Sequence, residues 1–213
     1  MRSPAFQRVL DDVGSAVVDG RLPAGSRTSV EALVDRTLAS RSVVREATRV
    51  LASLGLLTAS PRVGLVVRPA AQWNLLDPQV VRWRLSGPDR ETQTRELREL
   101  RQVLEPAAAQ AAARNADDAT RTRLRGLARE LRAPGGLARA DAELHDLLLR
   151  ASGNATFAAL GAVVGLAVAD RAGVRPAAHD VRLHTALAGA VADGEAAAAG
   201  DLAREIVART SAR

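Results

Sequence analysis

The 213 residues draw their apolar content mainly from Ala, Leu and Val, with two Phe, two Trp and no Tyr, a balance that favours helix and is enough for one large or two modest domains. The absence of cysteine excludes disulfides and Cys-ligated zinc. The net charge of +6 rests on Arg alone, and no apolar run is long enough for an export signal or a membrane span, so the expectation is a soluble cytoplasmic protein with no membrane partner.

Taken in chain order, Phe6 to Asp19 repeats apolar residues at helical spacing and stops at Gly20, and Leu22-Pro23-Ala24-Gly25 reads as a turn. Ser29 and Ser40 each stand where a cap opens a helix, the second carrying Val44, Ala47, Leu51 and Leu54 as one stripe up to Gly55. Two β-prone stretches, Leu56 to Ala59 and Leu65 to Val67, flank Ser60-Pro61-Arg62-Val63-Gly64 and read as a hairpin. Three helices and a hairpin form the outline of a winged helix-turn-helix. Residues 69–76 read as a linker. Beyond them every segment reads as helix: about 77–85, 89–115 with Pro106 inside, 117–132, 136–151, 155–171, 179–193 and 195–213. The expected fold is therefore mainly α: a winged helix-turn-helix with a small hairpin wing over residues 1–68, then an all-α bundle over 77–213 for effector binding and dimerisation.

Charge separates the two halves. Residues 1–68 hold ten Arg against six acids, and 40–68 hold five Arg against Glu46 alone, an excess that suits a polyanion. Arg41, Arg45 and Arg49 share one helical ridge beside the apolar stripe. Ser40 and Ser42 stand at the helix start, where backbone N–H groups and the dipole favour a phosphate, and Arg62 and Gly64 stand at the hairpin tip. A helix entering the major groove presents such residues to base edges and phosphates. An ordinary amphipathic helix with a solvated Arg face has the same spacing.

Gly20-Arg21-Leu22-Pro23-Ala24-Gly25, Ser40-Arg41-Ser42-Val43-Val44-Arg45-Glu46-Ala47, Leu51-Ala52-Ser53-Leu54-Gly55-Leu56-Leu57 and Gly64 together resemble the GntR family of bacterial regulators. The resemblance places Ser40, Arg41, Ser42, Val43 and Arg45 at DNA-contacting positions and Gly64 at the wing tip. Val43 stands where Thr or Pro is usual, which favours a methyl contact to thymine. Ser29-Val30-Glu31-Ala32-Leu33 departs from the family's Ser-Glu-Arg-Glu-Leu, so one DNA-contacting Arg is missing.

In the second half, Asp141 and His145 project from one helix face at i,i+4, a pairing that suits a metal and also occurs between surface neighbours. Leu100 to Pro106, Asp141 to His145, Ala151-Ser152-Gly153-Asn154 and His184 to Ala190 resemble the FCD ligand-binding domain of the FadR branch. That resemblance implies a divalent metal (Zn, Ni or Mn) on Asp141, His145 and His184, with the family's last His replaced near Ile206, and an organic-acid effector. Arg101, able to fork two hydrogen bonds onto a carboxylate, and Asn154, which equally suits a helix cap, are the expected effector contacts. Gln72 to Val81 resembles the post-wing segment of galactonate- and gluconate-type repressors, while Trp73 and Trp83 also suit packing between domains. The reading is a homodimeric, non-enzymatic repressor of double-stranded operator DNA, released or retained through a sugar acid. A metal-dependent enzyme using Asp141, His145 and His184, and a sequence-indifferent architectural DNA binder, are the alternatives.

Overall fold

The computed structural model describes residues 3–60, 63–133, 137–170 and 178–209, which fall into two packed units, Met1–Gln93 and Thr94–Arg213. In the first, Ser3 accepts from the Phe6 N–H at 3.2 Å and Pro4 supplies the first helical residue, so α1 (Pro4–Val18) starts where its N–H groups need a partner. Its buried stripe of Phe6, Val9, Leu10, Val13 and Val17 faces α3 (Arg41–Ser53), which contributes Val44, Ala47 and Leu51. Between them lies α2 (Val30–Thr37), opened by Ser29 and closed by Leu38, which holds a left-handed φ of 53° at the helix-turn-helix corner.

The expected hairpin is present as β2 (Leu57–Ser60) and β3 (Gly64–Val67), paired antiparallel with Leu57 opposite Val67. A third strand, β1 (Arg27–Thr28), pairs with the other edge of β3, giving the order β1-β3-β2. Two residues are too few to show a period of two, so this strand has no signature in the sequence.

Residues 69–76 contain a 3₁₀ turn (Ala70–Gln72), and Trp73 Nε1 donates to the Arg68 carbonyl at 3.0 Å. Helix α4 (Pro78–Ser86), capped by Asp77, lies on α1. Trp83 sits over Gly14, where a Cβ would come within 2.3 Å of its ring, and Asp11 Oδ1 accepts from Trp83 Nε1 at 3.0 Å and from Gln79 Nε2 at 2.7 Å. The first packed unit therefore includes α4, and Trp83 is buried within its core.

The second unit is built from α5 (Arg90–Asn115, helical through Pro106), α6 (Asp118–Glu130), α7 (Leu137–Ala151), α8 (Ala155–Ala159), α9 (Gly161–Asp170), α10 (Ala178–Ala192) and α11 (Ala196–Arg209). Its core joins Ala109, Ala112 and Ala113 of α5 to Leu124, Leu127, Leu144, Leu187, Val191, Ala203 and Ile206, with alanines where helices approach closely. The single helix expected over 155–171 is two: at Leu160 the bonds shorten to Leu160 N–H on Phe157 O at 3.1 Å and Val163 N–H on Leu160 O at 3.0 Å, a 3₁₀-type tightening that separates α8 from α9. Arg121 donates to the Ala116, Ala113 and Ala192 carbonyls at 3.0, 3.2 and 2.8 Å, satisfying the ends of α5 and α10 with one guanidinium. No helix among the described residues is long and apolar enough to cross a membrane.

Candidate functional site

Two clusters of polar chemistry stand out, one in each unit. In the first, Ser40 caps α3 and its hydroxyl lies 3.1 Å from that of Ser42. The helix seals Val44, Ala47, Thr48 and Leu51 in the core and leaves Arg41, Ser42, Arg45 and Arg49 exposed. Val43 is half-buried and leans on that core. The starts of α2 and α3 and the wing bound a groove of about 280 Å³ whose lining includes Ser29, Glu31, Arg41, Arg45, Ser60 and Gly64. Gly64 opens β3 with a φ of 89°, and a Cβ there would lie 2.8 Å from the Thr28 carbonyl oxygen, so the wing's closest approach to β1 admits only glycine without a shift. Arg62 lies outside the described residues. Glu31, which stands where the resemblance leads one to expect an arginine, lies 3.0 Å from Arg41 Nη1.

In the second unit, Asp141 and His145 on α7 meet His184 on α10. Asp141 Oδ1 lies 3.3 Å from His145 Nε2 and 2.9 Å from His184 Nε2, and one ligand atom from each of the three residues falls within 4.8 Å of the others. His145 is fully enclosed, and its Nδ1 lies 3.0 Å from Glu105 Oε2 on α5. Glu105 also accepts a forked pair from Arg101, Nη2 to Oε2 at 3.2 Å and Nε to Oε1, with both side chains 3% exposed. Four charged or chargeable groups and His184 thus form a chain from Arg101 through Glu105, His145 and Asp141.

The electrostatics of this chain call for positive charge. Burial pushes the Glu105 carboxyl up, but His145 and Arg101 beside it outweigh burial and hold it at about 2. Burial pulls His145 down, and the Glu105 and Asp141 carboxylates reverse that and raise it to about 9. Asp141, raised by burial but flanked by both imidazoles, ends well below the ordinary carboxylate range. Yet neither Asp141 Oδ1 nor either nitrogen of His145 has hydrogen-bond alignment with its neighbours. Close, convergent and misaligned donor atoms under two carboxylates are what a cation bound at that point satisfies, so the oxygen–imidazole set fits a divalent metal. Glu105 would then act through His145, fixing the ring's orientation from behind.

The remaining expected residues fall differently. Arg101 is brought to the cluster, but its fork is spent on Glu105. Asn154 is exposed and its Oδ1 caps α8, accepting from Thr156 and Phe157 N–H at 2.9 and 3.3 Å. Ile206, in the place of the family's last His, is a buried core residue. Glu105 received no role from the sequence, although its i,i+4 spacing from Arg101 was visible there.

The sequence profile of the bacterial regulatory proteins of the gntR family matches residues 6–67, and that of the FCD domain matches residues 96–209. The chain belongs to the GntR family and carries an FCD domain. The gntR family is one of bacterial regulatory proteins, and the relatives below are named as transcriptional repressors and not as enzymes. The chain is 33% identical over 110 residues to the galactonate operon transcriptional repressor of Escherichia coli K12, covering 51% of this chain and 48% of that protein. It is 34% identical over 86 residues to the probable D-xylose utilization operon transcriptional repressor of Paenarthrobacter nicotinovorans, covering 40% and 38%. These matches span half or less of each relative's length. Among solved structures, Streptococcus agalactiae GntR aligns over 96% of this chain and 98% of its own with a TM-score of 0.54 at 20% identity. Lar, which controls the expression of the Listeria monocytogenes agr system, aligns over 100% and 96% with a TM-score of 0.61 at 14% identity. At those identities the structures establish the fold.

Proposed function

We propose that this GntR protein is a cytoplasmic repressor, binding a pseudo-palindromic operator as a homodimer, whose affinity is set by a small organic acid of the sugar-acid class held in the FCD unit with a divalent metal. On the DNA side, Ser40, Arg41, Ser42, Val43, Arg45 and Arg49 of α3 address the major groove, with Arg62 and Gly64 of the wing beside it. The support is the exposure of the whole Arg ridge on a helix whose opposite face is sealed in the core. A two-fold operator is the natural partner of two such helices one turn of DNA apart.

On the sensing side, Asp141, His145 and His184 hold the metal (Zn, Ni or Mn), with Arg101 and Asn154 contributing to the effector. The observation that carries this half is the convergence of the Asp141 carboxylate with the His145 and His184 imidazoles, in which Asp141 Oδ1 and His145 Nε2 lack hydrogen-bond alignment. A bound metal supplies a Lewis-acidic anchor for a carboxylate. Three protein ligands leave more of its coordination to water and effector than four would. Arg101 turns towards an anionic effector only by sharing or leaving Glu105, which links effector occupancy to the orientation of His145. The galactonate relative supports the sugar-acid class. Regulation follows if the effector prefers one of two states that differ in operator affinity.

The test is a thermal-denaturation screen of sugar acids on the chelator-treated protein, with and without Zn²⁺, Ni²⁺ or Mn²⁺. One metal is expected to raise the midpoint of the wild type and not of His184→Ala, with at least one sugar acid adding to the shift only when metal is present. No response of the wild type to any of the metals would overturn the metal assignment. An acid response unchanged in Arg101→Ala would overturn the effector contact.

A further inference from the structure

Resting on the DNA-reading role given above to α3, we propose that Glu31 is a specificity-determining residue of the DNA-binding unit: its carboxylate holds the Arg41 guanidinium in the unbound protein and thereby weakens binding to duplex of arbitrary sequence. Glu31 lies in the first turn of α2, behind the Ser29 cap, and Arg41 is the first residue of α3. Their side chains are 58% and 66% exposed and meet at 3.0 Å. Both line the groove that Arg45 and Gly64 also line, so the acid stands on the face that carries the basic ridge. Among the described residues lining that groove Glu31 is the one acid.

The carboxyl is held below its ordinary range chiefly by a backbone N–H, against the opposing effect of burial, with Arg41, Ser29 and Arg45 adding to the depression. It therefore stays ionised wherever DNA binding is measured. An exposed ion pair is weak, so Arg41 is occupied and not locked. Against a phosphate, Arg41 gains little that Glu31 does not already supply. Against guanine, the planar fork gains two hydrogen bonds to O6 and N7 that a single carboxylate contact at the edge of the groove does not replace. The pair thus removes about one phosphate contact from sequence-independent binding and leaves a well-matched base contact worth making.

The full chain and its Glu31→Gln, Arg41→Ala, Glu31→Gln/Arg41→Ala and Arg45→Ala variants are titrated against a fluorescent duplex of mixed sequence, and against a duplex selected from a random pool with the wild type, between about 50 and 200 mM NaCl. Glu31→Gln is expected to tighten mixed-sequence binding roughly three- to tenfold at the lower salt and to steepen the log–log salt dependence by about 0.9. The ratio of selected to mixed-sequence affinity falls, and the gain vanishes when Arg41 is Ala. Unchanged or weaker mixed-sequence binding by Glu31→Gln, with Arg45→Ala impaired, overturns this proposal alone. A gain that persists without Arg41 also overturns it, because the effect is then bare charge removal. Wild-type binding that Arg45→Ala leaves intact overturns the α3 assignment itself and this proposal with it.

Discussion

The two units of this protein handle charge in opposite ways. Along α3 the arginines stand in water, and among the described residues Glu31 reaches across to Arg41. At the polar cluster of the FCD unit the charges are inside: Arg101, Glu105 and His145 are all at or below 3% exposed and depend on one another. An exposed charge keeps its hydration and remains available to a macromolecule, whereas a buried one has lost its water and is held by its neighbours. The first arrangement suits a surface that must meet a polyanion, the second a cluster whose members hold one another in place.

The comparison is broken most directly by Glu105→Gln. Removing that charge leaves the Arg101 guanidinium buried without its counterion, at an expected cost of about 3–5 kcal/mol, read by chemical denaturation. A cost near zero would mean that the cluster is wet and the contrast between the units false. Next in size is Gly14→Val in the first unit. The added side chain meets the Trp83 ring and should cost about 1–3 kcal/mol by forcing α4 off α1, with a weakened hydrogen bond from Trp83 to Asp11 visible in the indole N–H resonance. Arg45→Ala sharpens the other side: folding stability should move by less than about 0.5 kcal/mol, while operator affinity drops by about 1–3 kcal/mol. A variant that loses both together would place Arg45 in the fold and not on the DNA.

The smallest effect concerns the surface ties between α6 and α7. Arg123 donates to Glu143 at 2.6 and 2.7 Å and to Glu130 at 2.5 Å, and Arg139 reaches Glu130 at 3.0 Å. Both carboxyls are held below their ordinary value, first of all by hydrogen bonds from Arg123. Their contribution is therefore fully present above the unfolded carboxylate pKa of about 4.5 and is lost as pH falls through the lower folded values. Arg123→Ala should flatten the acid side of a stability–pH curve below about pH 4.5 and leave it unchanged near neutrality in shape.

How much of this was legible in the sequence follows the same division. Most helices of both units, the caps at Ser29 and Ser40, and the exposed ridge are local matters of period and capping, and the sequence states them directly. Asp141 and His145 could be paired by spacing on one helix, but His184 joins them only because α10 packs on α6, α7 and α11. Glu105 is a non-local partner of His145, forty positions away, and its i,i+4 spacing from Arg101 does not disclose that contact. The break at Leu160 and the two-residue strand β1 escape for another reason: a change of hydrogen-bond pattern within one turn and a pair of residues at a sheet edge leave no hydrophobic rhythm to read. Likewise the attachment of α4 to α1 depends on a missing side chain at Gly14, which a pattern of apolar residues does not record.

Trp73 and Trp83, the chain's two tryptophans, both pack in the first unit, and with no tyrosine anywhere the FCD unit lacks any comparable emitter. Intrinsic fluorescence is thus a one-sided gauge. A shift in its wavelength or intensity on adding metal or a sugar acid cannot originate from a fluorophore at the Asp141 cluster, so it registers what has been transmitted to the DNA-binding unit, without a label and before any DNA is present.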